Sequence, residues 1–146
     1  MTQLDLTALK DSVASLEAAL EVVGDKDWFY EQSDKVQKTL ISGVIKNFEF
    51  VYELSVKMMK RRLELDSISS SVIDGMNFRD FLRTAAEVGL ISVVERWFEY
   101  RDMRNITSHT YDHEKAQQVY EDTKLFIKDA VSLLKTLEGR NGKTVN

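Results

Sequence analysis

Apolar positions along the chain recur with a helical beat. Leu6, Leu9, Val13, Leu16, Leu20 and Val23 are spaced by 3, 4, 3, 4 and 3 residues, which lines one face of a helix over about residues 4–23. Gly24 follows as a natural stop. Asp27 is placed to cap a second helix that begins near Trp28 and runs to about Leu65, unless the polar stretch from Glu31 to Lys35 interrupts it. This segment carries two stripes, Val36, Leu40, Val44, Phe48 and Val51 on one side and Ile41, Ile45, Tyr52, Val56, Met59 and Leu63 on another. Two stripes predict burial against more than one neighbour.

Asp66 to Gly75, with four serines, reads as a loop. Asn77 followed by Asp80 has the pattern of an N-cap with an acidic residue at the third helical position, and it opens a short helix through Phe78, Phe81, Leu82 and Ala85 to a stop at Gly89. Ser92 with Glu95 reads as a capping box for a helix that places Val94, Trp97, Arg101 and Arg104 along one side. Asp112 caps the last helix, where Ala116, Val119, Thr123, Phe126, Ala130, Leu133 and Leu137 keep a step of three or four. That helix is expected to end near Gly139. The predicted fold is all-α: an up-and-down four-helix bundle with an additional short helix, formed by residues 1–139, with residues 140–146 as a flexible tail.

Composition sharpens this picture in three places. The 146 residues contain no proline, which favours long unbroken helices, and the length suits one domain with a sizeable core. No cysteine is present, so disulfides and thiolate metal sites are excluded. The N-terminus has neither a basic region nor an apolar run, and no segment reaches the length of a membrane span, which leads to a cytoplasmic expectation with no membrane partner. A net charge of −4 argues against broad, non-specific nucleic-acid binding. Lys57, Lys60, Arg61 and Arg62 gather at the end of the second long helix, either as solvated complements of its dipole or as an anion or RNA contact.

Candidate chemistry concentrates in Arg104-Asn105-Ile106-Thr107-Ser108-His109-Thr110-Tyr111. On an unbroken helix Arg104 and His109 would be about 140° apart around the axis. A helix stop near Thr107 to Ser108 would let them converge, and in an extended link His109 and Tyr111 would point to one side. This Arg-x4-His-x-Tyr pattern, with Asn77-Phe78-Arg79-Asp80-Phe81-Leu82-Arg83, Ala86, Gly89-Leu90-Ile91 and Trp97 upstream, resembles the HEPN-domain proteins. The resemblance is narrower to the HEPN subunit paired with a minimal nucleotidyltransferase, often called a nucleotidyltransferase substrate-binding protein, and it covers residues 1–138 or so.

The resemblance implies a homodimer in which two Arg/His motifs face one cleft that takes a nucleotide or RNA, a minimal nucleotidyltransferase as partner, and metal-independent ribonuclease chemistry in the toxin members. In that reading His109 moves a proton during attack of a ribose 2′-hydroxyl on its own phosphate, and Arg104 pairs with the phosphate. Asn105, Ser108 and Arg101 would hold substrate. Tyr111 occupies the position where, in such pairs, the partner attaches AMP; without the resemblance it reads as an ordinary half-buried tyrosine. One alternative is a non-catalytic subunit that presents its ligand to the nucleotidyltransferase. Another is a structural dimerisation module.

The chain itself lacks the Gly-Ser turn and paired aspartates of a nucleotidyltransferase, and Asp25-Lys26-Asp27 reads as helix-capping residues. His109 and His113 have no further clustered ligand, so no metal and no cofactor are assigned. Trp97 and Tyr100 read as core or dimer-contact residues. Arg79, Arg83, Arg96 and Arg101 either line the cleft or pair with Asp80, Glu87, Glu95, Glu99 and Asp102.

Overall fold

The computed structural model describes residues 3–67, 69–107 and 112–142. Among the described residues there are seven helices and no strand: α1 (Thr7–Gly24), α2 (Lys26–Glu31), α3 (Asp34–Asp66), α4 (Ser70–Asp74), α5 (Phe78–Glu87), α6 (Val94–Ile106) and α7 (His113–Gly142). α1, α3, α6 and α7 form the predicted up-and-down bundle. Leu4 meets Asn141 at one end and Ser15 meets Asn47 further along, so α1 runs against both α3 and α7. Phe48 packs on Phe126 and Arg62 reaches Asn141, which makes α3 and α7 parallel, as alternate helices of such a bundle must be. Arg96 pairs with Asp129 and Tyr100 packs on Phe126, so α6 runs against α7.

Local chemistry accounts for most of the element ends. The polar stretch after Tyr30 does break the second helical segment. Asp25, rather than Asp27, caps α2 by accepting from the Trp28 N–H at 3.3 Å, and Ser33 caps α3 by accepting from the Val36 N–H at 3.3 Å. Gly24 is not a left-handed stop; α1 runs through it with ordinary helical backbone, and the cap at Asp25 starts the next helix immediately. The serine-rich connection contains the single-turn α4, with Asp74 tied back to Lys60 at 3.1 Å. Asn77 caps α5 as expected, its Oδ1 accepting from the Asp80 N–H at 2.8 Å. The expected Ser92/Glu95 box is not formed: Val93 stands at the N-cap of α6, with no side-chain cap.

The core is continuous through all four long helices. Phe126 is its hub, meeting Phe48, Tyr100 and Trp97 edge-to-face at centroid distances of 4.8, 4.9 and 5.9 Å. Trp97 and Tyr100 are both buried, which confirms a packing role. Arg62 departs from the expectation of a solvated cationic cluster. It is only 2% exposed, its guanidinium forks onto Asp66 at 2.8 and 3.2 Å, and it reaches Asn141 Oδ1 at 3.4 Å. Asn141 also exchanges hydrogen bonds with the backbone of Leu4 in both directions, at 3.0 and 2.9 Å. The last helix therefore continues to Gly142, three residues past the predicted end, because residues assigned to the tail are tied to the N-terminus and α3. The remaining tail residues, 143–146, lie outside the described residues.

Gly89 closes α5 as predicted. Its φ of +82° lies in the left-handed region, the Leu90 N–H reaches Ala85 O at 2.9 Å, and the Gly89 N–H reaches Ala86 O at 3.0 Å. A Cβ there would also stand 3.3 Å from the Arg140 guanidinium. Gly89→Ala is therefore expected to destabilise the fold by about 1 kcal/mol, read as a lower urea midpoint with an unchanged slope.

Candidate functional site

α6 ends where the motif begins. The Thr107 N–H turns back to Arg104 O and Met103 O, and Thr107 Oγ1 donates to Arg104 O at 2.6 Å, so the last carbonyls of the helix are satisfied locally. This is the predicted stop. Arg104 lies in the last turn, where a cation is favoured by the helix dipole.

Its guanidinium is held from two sides. Arg104 Nε and Nη2 both donate to Glu53 Oε1, at 3.0 and 2.9 Å, while Nη1 lies 3.3 Å from Glu49 Oε2 and 3.2 Å from Thr107 Oγ1. Glu49 and Glu53 stand one turn apart on α3, so a single helix face supplies both carboxylates. The two differ in access: the Glu49 side chain is 18% exposed, Glu53 54% and Arg104 35%. The fork is thus braced from a sheltered side and open to solvent on the other.

Tyr52 lies between these two glutamates in sequence and is buried. Burial pushes its hydroxyl up to about 12, against the pull of Arg101 and Arg104. Tyr100 is shifted in the same direction by burial and by its hydrogen bond to Asp129, whose carboxylate also receives the Arg96 fork at 2.6 and 2.8 Å. An unfolded tyrosine releases its proton near the ordinary value of 10.0. The stability Tyr52 contributes is therefore complete below pH 10 and is lost as the pH rises toward 12, because the unfolded chain deprotonates first, and the contribution of Tyr100 is lost in the same direction. Denaturation midpoints measured across that interval should fall, by about 1.4 kcal/mol per pH unit for each such tyrosine. Tyr52→Phe should lose less over the same range.

The sequence-derived site residues divide into three groups. Arg104 is placed as expected at the end of α6, but already paired. Arg101 and Asn105 are exposed on the same helix; the Arg101 guanidinium stacks on Phe78 with 4.4 Å to the ring centroid. Ser108, His109 and Tyr111 lie outside the described residues. Of the other arginines, Arg79 and Arg83 flank the Phe98 ring at 4.5 and 6.0 Å, and Arg83 lies 3.7 Å from Asp80. Arg96 pairs with Asp129 rather than with a neighbour on its own helix.

Glu49, Glu53 and Thr107 are what sequence reasoning missed. The available signal was an i, i+4 pair of glutamates interrupting two apolar stripes on α3. His113 is exposed at the start of α7, and among the described residues no cluster of three or more His, Cys, Asp or Glu side chains is placed to hold a metal.

The helical bundle, with the Arg-x4-His-x-Tyr motif running on from the end of α6, resembles a HEPN-type domain, and comparison with known proteins shows the family. The profile of the family described as "Nucleotidyltransferase substrate binding protein like" matches residues 4–139, and the chain belongs to that family. It is 48% identical over 139 residues to a Haemophilus influenzae protein named "Probable ribonuclease HepT", covering 95% of each chain. It is also similar to a solved Haemophilus influenzae structure described as the fold of a substrate-binding domain of a nucleotidyltransferase. That likeness has a TM-score of 0.90 at 48% identity, over 92% of this chain and 99% of the other. Among the described residues, no helix is long and apolar enough to cross a membrane.

Proposed function

We propose that this chain is the HEPN subunit of a cytoplasmic two-component system with a minimal nucleotidyltransferase, and that it cleaves RNA without a metal in a cleft shared by two copies. The observation that carries this reading is the Arg104 fork, an always-charged group held at a helix end with one side open to solvent. The similarity to a protein named as a ribonuclease supports the same reading.

The chemistry divides between Arg104 and His109. The His109 imidazole accepts the proton of a ribose 2′-hydroxyl, the 2′-oxygen bonds to the adjacent phosphorus, and the bond from phosphorus to the 5′-oxygen breaks. The products are a 2′,3′-cyclic phosphate and a 5′-hydroxyl, the latter taking its proton from water while the His109 imidazolium returns its own to solvent. The nucleophile belongs to the substrate, so no metal-bound water is required. Arg104 exchanges the exposed Glu53 for a phosphate oxygen while Glu49 and Thr107 keep its plane in place, and it stabilises the charge that builds on phosphorus. Asn105, Ser108 and Arg101 hold the flanking nucleotide. AMP transferred by the partner from ATP to the Tyr111 hydroxyl, with pyrophosphate leaving and the phenolic proton released, adds an anion to the motif that carries Arg104 and closes the cleft.

A second reading is favoured by the description of the solved relative as a substrate-binding domain: the subunit presents a ligand to the nucleotidyltransferase and performs no chemistry. The deciding assay is RNA cleavage by the purified chain in chelator, beside Arg104→Ala and His109→Ala. Cleavage to cyclic-phosphate ends that disappears in both folded variants is the expected result. Intact transfer and messenger RNA after incubation with the wild-type chain would sink the nuclease and leave the presenting subunit.

A further inference from the structure

A cavity of about 640 Å³ opens where α2, the first turns of α3 and the first turn of α7 meet. That volume is in the range of small-ligand sites. It is built from residues that take no part in the Arg104 cluster. Val23, Phe29, Ile41 and Ala116 make an apolar floor. Above it stand two cations, Lys26 and Lys38, and the Tyr30 ring, which is 65% exposed.

The cavity brings two lysines to one wall, and one of them is held there by aromatic rings. Arg62, Arg96 and Arg104 are all committed to carboxylates. Among the described residues neither Lys26 nor Lys38 has a carboxylate within ion-pair distance, although the net charge of the chain is −4. Lys26 is nevertheless held in position. Its ammonium lies 5.3 Å from the centroid of the buried Tyr120 ring and 5.9 Å from that of Tyr30, with Nζ 3.4 Å from the Tyr120 hydroxyl. The nearby Glu121 is engaged by Lys124 at 3.0 Å.

Acceptors complete the wall. Asp34 lies in the first turn of α3, and Gln37 gives its Nε2 to Gln32 O at 2.9 Å, which leaves its Oε1 facing other partners. A ligand matching these groups needs negative charge for the lysines, a flat face for Tyr30 and hydroxyl or amino donors for Asp34 and Gln37. Inorganic phosphate lacks the last two, and a neutral aromatic lacks the first.

We infer that this cavity is a second ligand site, separate from the Arg104 cluster, and that it takes a mononucleotide with its phosphate at Lys26 and Lys38 and its base against Tyr30. The inference stands whether or not the chain cleaves RNA, because none of its residues is used in that chemistry.

The test is isothermal titration of the full chain with AMP, with adenosine and inorganic phosphate as separate arms. AMP should bind, and each half alone should bind at least about tenfold more weakly. Lys26→Ala and Tyr30→Ala should each weaken AMP by about tenfold or more, since a charge-assisted contact and a stacking surface are lost. Lys38→Gln should weaken it in the same direction, and Lys135→Ala, at an exposed lysine of α7 outside the cavity, should leave it unchanged. Circular dichroism establishes that each variant is folded. AMP binding that survives Lys26→Ala and Tyr30→Ala but is lost in Arg104→Ala would move the ligand to the other site and overturn the inference. So would phosphate or adenosine binding as tightly as AMP, or no AMP binding at millimolar concentration.

Discussion

Arg104→Ala is expected to lower RNA cleavage by about 10²- to 10³-fold, the usual cost of removing one group that stabilises charge in a transition state. The fold should survive it. Arg104 is a third exposed, and its ion pairs with Glu49 and Glu53 sit at the surface, where such pairs contribute little to stability. Arg104→Lys should fail to restore the rate, because one ammonium cannot span Glu53, Glu49 and Thr107 at once as the planar fork does. The two glutamates separate positioning from competition. Glu53→Gln removes the charge that competes with phosphate and should lower KM. Glu49→Gln loosens the sheltered brace and should lower kcat with little change in KM. Single-turnover kinetics with a defined RNA would read both. Equal loss of stability in Arg104→Ala and Glu49→Gln, with unchanged turnover by the folded fraction, would reduce the cluster to a structural tie.

Phe126→Ala is expected to have the largest effect on stability, about 3 to 5 kcal/mol. The ring has no exposed surface and contacts Phe48, Trp97 and Tyr100, so the loss combines burial, three edge-to-face contacts and a cavity that rigid aromatic neighbours cannot close. For a chain of this length that corresponds to a fall in Tm of about 10 °C. Leu125→Ala, one position away and exposed, should change stability by less than about 0.5 kcal/mol. Equal effects at the two positions would mean that α7 is rotated relative to the packing described above.

The contrast between Phe126 and Arg62 shows what was legible in the chain. Phe126 lies on a three-and-four beat with Val119, Thr123, Ala130 and Leu133, and all of these are buried. The Asn77 cap, the Gly89 stop and the end of α6 at the motif were equally readable, because each depends on backbone bonds within a few residues. Arg62 reads locally as one of four clustered cations. Its partner Asp66 is local, at i+4, but its contact with Asn141 lies 79 positions later, which no local pattern contains. The Ser92/Glu95 box failed for the converse reason: its spacing was right, but α6 starts after Val93 without it.

The candidate site divides along the same line. The resemblance carried by the Arg-x4-His-x-Tyr motif and the upstream helix picked out Arg104 and the family whose profile matches residues 4–139. It did not pick out Glu49 and Glu53, since Glu53 and Arg104 are 51 positions apart and meet only because α3 and α6 pack side by side. Nor did it bring Lys26, Tyr30 and Tyr120 to one cavity, which takes the ends of three helices to assemble. By itself the sequence determined where the long helices form and which faces they bury, because those follow from backbone preference and apolar periodicity over a few turns. Tertiary structure alone decided which carboxylates hold the arginine, which cations stay unpaired and where a cavity opens, because electrostatic pairing and cavity shape depend on distances between helices that local periodicity does not encode.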